Sequence, residues 1–199
     1  MSRLDTVRRR YESNAGNATM TVLHDDGPYR HLRFVGPNIF YWFDIITWPK
    51  GLTINGGMGT YTLKVDEDDL LALFLRSSSP SYWQEKVYGT ERNDGHYGWL
   101  DEVFAEYVNK AVDAWAADLD EDDAALLRDR VDTNVLAYQH EMSGALMAVR
   151  DFEFDGRRFE GWSEWDCEGI TDRFMFNCFA LADAARVYAA HKTAGKQVA

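Results

Sequence analysis

The sequence predicts an α+β fold: an antiparallel sheet of about five strands in the N-terminal half, packed against three or four helices in the C-terminal half. Three observations carry this. Short apolar stretches separated by turn signals fill residues 18–65. Over residues 66–192 the hydrophobic period lengthens to that of helices. The early strands are joined by connections too short for parallel crossovers, which need about a dozen residues or more. Strands first and helices after is the α+β order. With 199 residues, no internal repeat and no long linker, a single domain over 1–199 is expected, strand-rich over 18–65 and helix-rich over 66–192.

Residues 3–13 read as a short basic helix, broken by Asn14 to Asn17. Met20 to His24 and Tyr29 to Val35 read as strands around Asp25-Asp26-Gly27-Pro28, a strong turn signal. Ile39 to Trp48 is the most apolar strand. Its two faces, Phe40, Trp42, Asp44, Ile46 and Trp48 against Tyr41, Phe43, Ile45 and Thr47, are both mostly apolar. Such a strand should lie centrally or be covered on both sides. Leu52 to Asn55 and Thr60 to Val65 follow around a glycine-rich turn.

Asp66 to Asp69 places negative charge where a helix start at Leu70 favours it. Ser81 to Tyr88 reads as a short helix, and Thr90 to Gly98 as a polar loop. Val103, Phe104, Tyr107, Val108, Ala111, Val112 and Trp115 form an amphipathic helical stripe over 100–117. Asp118 to Asp123 opens the next helix, whose inner stripe is Leu127, Val131 and Val135. Gln139 to Val149 continues that helix or bends away from it. Phe152 to Glu160 reads as a hairpin around Asp155-Gly156. The last helix, over about 170–192, carries Ile170, Phe174, Cys178, Leu181 and Ala185 on one stripe, and should be central to the core.

Three early runs resemble a family of small uncharacterised phage and prophage proteins. They are His31-Leu32-Arg33-Phe34, Tyr41 to Pro49, and Gly57-Met58-Gly59-Thr60-Tyr61. A later stretch, Glu164-Trp165-Asp166 with Arg173-Phe174-Met175 and Cys178, is similar to that family's C-terminal region. The resemblance is specific over 31–61 and looser over 162–182; residues 77–150 carry none. It implies a phage-encoded accessory protein in bacterial cytoplasm, with host takeover or counter-defence as the habit of the class. It carries over no catalytic residue.

The chain has 21 basic and 33 acidic residues, a net charge of −12. Such a charge disfavours contact with nucleic-acid phosphates, so no direct nucleic-acid binding is expected. No window of 18 apolar residues is free of charge, so no membrane span is expected. The N-terminal arginines lack an apolar stretch behind them, so no secretory leader is expected either. Cys167 and Cys178 have no zinc-type spacing, and Cys178 sits in an apolar run as a small hydrophobe. A cytoplasmic protein is the simplest inference.

Several residues are candidates for chemistry. Gly57-Met58-Gly59 lacks the further glycine or lysine of a nucleotide loop; it reads as a hairpin or as a backbone platform for a ligand. Burial of Asp44 against Trp42 and Trp48 would raise its pKa and fit it for acid–base work. Pairing with Arg33 would make it structural instead. The five histidines form no metal pattern, no nucleophile elbow is present, and neither metal nor cofactor is expected. Trp162 and Trp165 lie among acidic residues and suit a partner contact or packing over a sheet edge. Arg157 and Arg158 could bind a phosphate or decorate a hairpin tip.

Three functional readings follow. The first is a non-catalytic accessory protein that binds and inhibits a host protein, with Trp162, Trp165, Arg157, Arg158, Asp118, Asp120 and Asp122 as contacts. The second is a protein for a small nucleotide-type ligand, a sponge or an enzyme, with Asp44, Trp48, Gly57, Gly59 and Tyr61 at the site. The third is an acidic nucleic-acid mimic built on the acidic helices. The sequence leaves the oligomeric state open.

Overall fold

A computed structural model describes residues 2–91 and 95–196. In chain order the elements begin with α1 (Arg3–Asn14), β1 (Thr19–Asp26), β2 (Tyr29–Val35), β3 (Trp42–Trp48), β4 (Gly51–Gly56) and β5 (Gly59–Lys64). Then come α2 (Leu70–Leu73), α3 (Pro80–Gln84), β6 (Val87–Thr90), β7 (Tyr97–Trp99), α4 (Asp101–Ala116) and α5 (Glu121–Asn134). A 3-10 turn (Leu136–Tyr138), α6 (Met142–Asp151), a second such turn (Trp162–Glu164), β8 (Glu168–Ile170) and α7 (Asp172–Lys196) complete the chain. The fold is α+β. No helix among the described residues is long and apolar enough to cross a membrane.

Where the sequence reads as one domain, the chain forms two compact units: Met1–Tyr97 with Ile170–Ala199, and Gly98–Gly169. Each has its own apolar core.

The first unit is built on an antiparallel sheet in the order β1-β2-β3-β4-β5-β6. The expected count of about five strands becomes six, because β6 adds to β5. The β1–β2 hairpin turns on Gly27, whose φ of 57° is the positive value a two-residue turn needs at its first position. Alternation buries Leu32, Phe34, Phe43, Ile45, Leu52, Ile54, Tyr61 and Leu63 on one face. The helices α1, α2, α3 and α7 complete that core with Val7, Tyr11, Leu70, Trp83, Phe174 and Phe176. A capping box starts α1: Asp5 N–H donates to the Ser2 hydroxyl, and Ser2 N–H donates to the Asp5 carboxylate. The apolar run of α7 puts this helix at the centre of the first core.

In the second unit Phe104, Val108 and Val112 of α4 meet Leu127, Val131 and Val135 of α5 and Ala145 and Val149 of α6. The helix predicted from 118–123 begins at Glu121, with Asp120 as its cap accepting from Asp123 N–H at 2.9 Å. The stretch after Asn134 bends at the 3-10 turn before α6 starts. The expected hairpin over 152–160 shrinks to a single bridge between Phe154 and Arg157.

Candidate functional site

The two faces of the sheet differ. β3 is central, as its apolar sequence implies, but only Phe43, Ile45 and Thr47 enter the core. The other face is open. Register pairs Val35 with Trp42, Arg33 with Asp44, and His31 with Ile46 across β2 and β3. Of these, Val35, Trp42 and Ile46 are exposed, as is Tyr29 on the same face of β2. β3 is thus two-sidedly apolar without being covered on both sides.

The β2–β3 loop extends this surface. The sequence predicts strand from Ile39, but the strand begins at Trp42. Asn38 holds the chain in a turn instead. Its side-chain oxygen accepts from Phe40 N–H at 3.1 Å, and its carbonyl accepts from Tyr41 N–H at 2.9 Å. Tyr41 turns inward and stacks on Phe176. Ile39 and Phe40 are left 71% and 77% exposed, the most exposed apolar side chains of the loop and its flanking strands. Arg33, Val35, Ile39 and Trp42 line a shallow depression of about 290 Å³. Gly36-Pro37-Asn38 reads as a turn in the sequence, but the turn carries on through Ile39 and Phe40, where the apolar run predicts strand.

Asp44 sits at the centre of the open face and is 7% exposed. Arg33 grips it with two bonds, Nε to Oδ1 and Nη2 to Oδ2, each 2.8 Å. His31 Nε2 lies 3.2 Å from Oδ2. The Arg33 guanidinium holds the Asp44 carboxyl below the usual carboxylate range, outweighing burial, and His31 lowers it further. Of the two readings of Asp44, pairing with Arg33 is the one observed, and a pKa raised by burial against tryptophan is not. At neutral pH Asp44 is charged, holds no proton to give and is a weak base.

A carboxyl depressed in the folded state takes its proton first in the unfolded state, so its contribution is present above about pH 4 and lost as pH falls through the folded value. Asp69, held low by Arg30, and Asp25, held low by Tyr188 and Lys192 against the upward push of burial, act in the same direction. Urea midpoints should fall in acid below about pH 4. Asp44→Asn should reduce that acid dependence. An unchanged acid profile in the variant would refute the role of the ion pair.

The residues of the small-ligand reading do not converge. Asp44 and Trp48 lie on the open face, whereas Tyr61 is 1% exposed in the core and packs its ring edge against Phe174. Asp44 pairs with Asn55, and Asn55 with Thr60; the next residue, Tyr61, points to the other face. Trp48 lies over Gly51, where a Cβ would come within 2.2 Å of the indole nitrogen. The glycine turn is closed by backbone. Gly57 N–H donates to the Trp42 carbonyl at 3.0 Å, and a Cβ on Gly57 would meet the Phe40 carbonyl at 2.1 Å. Gly59 pairs with Gly56 across the turn. Asn177, buried on α7, donates to the Met58 carbonyl at 2.8 Å. The cluster is a tightly anchored hairpin, and the Gly57 N–H is already engaged.

The contacts expected at 118–165 all lie in the second unit. Trp162 and Trp165 are half-buried against its core, and Trp165 stacks on Tyr107 at 5.2 Å. Arg157 pairs with Asp155 at 3.0 Å, and Arg158 pairs with Glu153. Asp118, Asp120 and Asp122 are exposed, and Asp120 also caps α5. Both cysteines are buried, and burial pushes their thiols up, which removes thiolate reactivity near neutral pH. No group of three or more His, Cys, Asp or Glu side chains among the described residues is placed to hold a metal.

Comparison with protein-family models, with curated proteins and with solved structures finds no match.

Proposed function

We propose that this protein is a non-catalytic binding protein of phage origin that attaches to a host protein in the bacterial cytoplasm and blocks it. The open face of the six-stranded sheet is the contact. One observation carries this reading: exposed apolar side chains stand on one sheet face and its loop, with Phe40, Ile39, Val35 and Trp42 at one end and Ile46 and Tyr29 toward the other, on either side of the Arg33–Asp44 pair. Large apolar side chains exposed at one surface among polar groups are the usual mark of an interaction site. Trp, Tyr and Arg are also the residues that dominate binding energy at protein interfaces. The Asp44–Arg33 pair supports the same use. It neutralises the centre of the face, so a partner can cover it without burying an unpaired charge. The tryptophan contact expected at Trp162 and Trp165 thus moves to Trp42, since both of the former are occupied by packing in their own unit.

The test is affinity purification from the bacterial host. Tagged wild type should retain a host protein in stoichiometric amount. The double variant Phe40→Ser/Trp42→Ser should lose it, with circular dichroism and melting temperature unchanged. Retention of the same partner by the folded variant would refute the sheet-face contact. Recovery of wild type with only a bound nucleotide mass would refute the blocking role.

A further inference from the structure

The acidic charge of this chain is not spread over it. Residues 98–169 hold 19 acidic against six basic side chains, a net of −13, while the rest of the chain holds 14 acidic and 15 basic. The second unit therefore carries the whole negative excess. On α5, Asp122, Asp123, Asp129 and Asp132 are exposed and make no ion pair among the described residues.

The same unit also has a groove. It runs between α5 and α6 past the 3-10 turn that joins them, and its volume is about 450 Å³. Its lining includes the buried Phe152 and the exposed Tyr138 and Met147, 55% and 54% accessible. Arg130 lines the α5 side. Leu126, one turn earlier on the same face of α5, is exposed as well and extends the apolar strip.

We propose that this groove binds a basic amphipathic helix of another protein. The walls are helices, whose backbone groups are already paired, so an extended chain would find no strand edge there to satisfy its own N–H and C=O groups. A helix arrives with those bonds made and needs only an apolar face. Met147 offers the unbranched, polarizable surface that adapts to such a face. The charge selects the other side of the partner: with −13 on the unit, cations flanking the apolar stripe are attracted, and an acidic helix or nucleic acid is repelled. A second copy of this chain does not supply the ligand through α1. That helix is basic, but its apolar residues Val7 and Tyr11 are buried in the first unit. The site is independent of the sheet face.

The test uses the full chain and three fluorescent peptides: an amphipathic Lys/Leu helix, a Glu/Leu helix of the same pattern, and a Lys/Leu peptide with its pattern scrambled. Fluorescence anisotropy should show saturable binding of the first peptide alone, weakened by salt. Tyr138→Ser/Met147→Ser, both changes at exposed positions, should weaken it about tenfold or more. Asp118→Asn/Asp120→Asn should weaken it less than the groove variant does. Absence of binding by the Lys/Leu helix would overturn the proposal. Equal binding of the scrambled or acidic peptide, or an unchanged affinity in the groove variant, would overturn it too. Self-association of the chain that is lost in the groove variant would make a second copy the occupant and reject a foreign helix.

Discussion

Trp83→Ala should be the most damaging single truncation in the first unit. Trp83 is fully buried and stacks on Phe74 with ring centroids 3.8 Å apart and planes 10° from parallel. Its indole N–H donates to the Ser77 carbonyl at 2.9 Å, holding the segment between α2 and α3. Truncation removes the apolar burial, leaves a cavity between α2, α3 and α7, and strips that carbonyl of its donor. Truncations of buried aromatics cost about 3–5 kcal/mol. Against a total of about 5–15 kcal/mol for a typical protein, that leaves the sheet unit close to unfolding at ordinary temperature. Urea denaturation followed by circular dichroism should show the loss. A midpoint within error of wild type would contradict the packing described here.

Gly56→Ala is expected to be nearly as costly, although it adds only one methyl group. A Cβ at Gly56 would lie 2.1 Å from the Trp42 carbonyl oxygen and 2.7 Å from Phe43 Cα. Both are backbone atoms of β3, so no side-chain rotation relieves the clash. β3 and β4 must separate where Phe43 pairs with Gly56, and the Gly57–Trp42 bond beside them is lost. Overpacking that forces backbone shifts costs about 1–3 kcal/mol and occasionally more, and this site has no slack. The variant should melt well below wild type and, because Trp42 stands on the open face, should bind the proposed partner less tightly. Wild-type stability together with wild-type binding would show that the close approach of β3 to this turn is wrong.

Much of the first sheet was legible because its signals are local. Tyr29 to Val35 alternates cleanly between turns, and the observed strand has those bounds. The helical stripe from Val103 to Trp115 likewise marks α4. β6 was hidden for a physical reason. Val87–Thr90 is four residues long and contains a glycine, and it follows Tyr82 and Trp83, whose apolar spacing reads as a helix running on to Tyr88. What makes it a strand is pairing with β5, a contact distant in sequence. The two units were hidden in a similar way. The second begins at Gly98 and ends at Gly169 with no proline- or glycine-rich linker, and α7 returns to the core made by the first half of the chain.

The candidate site was half legible. Arg33 and Asp44 stand opposite each other in the register that the two strands imply, so their pairing could be anticipated. The sign of the Asp44 pKa could not, because it turns on two short bonds from Arg33 outweighing burial. The exposure of Phe40 depended on an asparagine turn within a run whose composition reads as strand.

A partner held by the open sheet face, as proposed, would shield that face from solvent. Hydroxyl-radical footprinting of the purified complex against the free protein tests it most directly. Phe40, Trp42 and Tyr29 should be oxidised readily in the free protein and protected in the complex, while Trp83 stays unlabelled in both. Oxidation of Phe40 and Trp42 at the same rate in the complex as in the free protein would contradict the account.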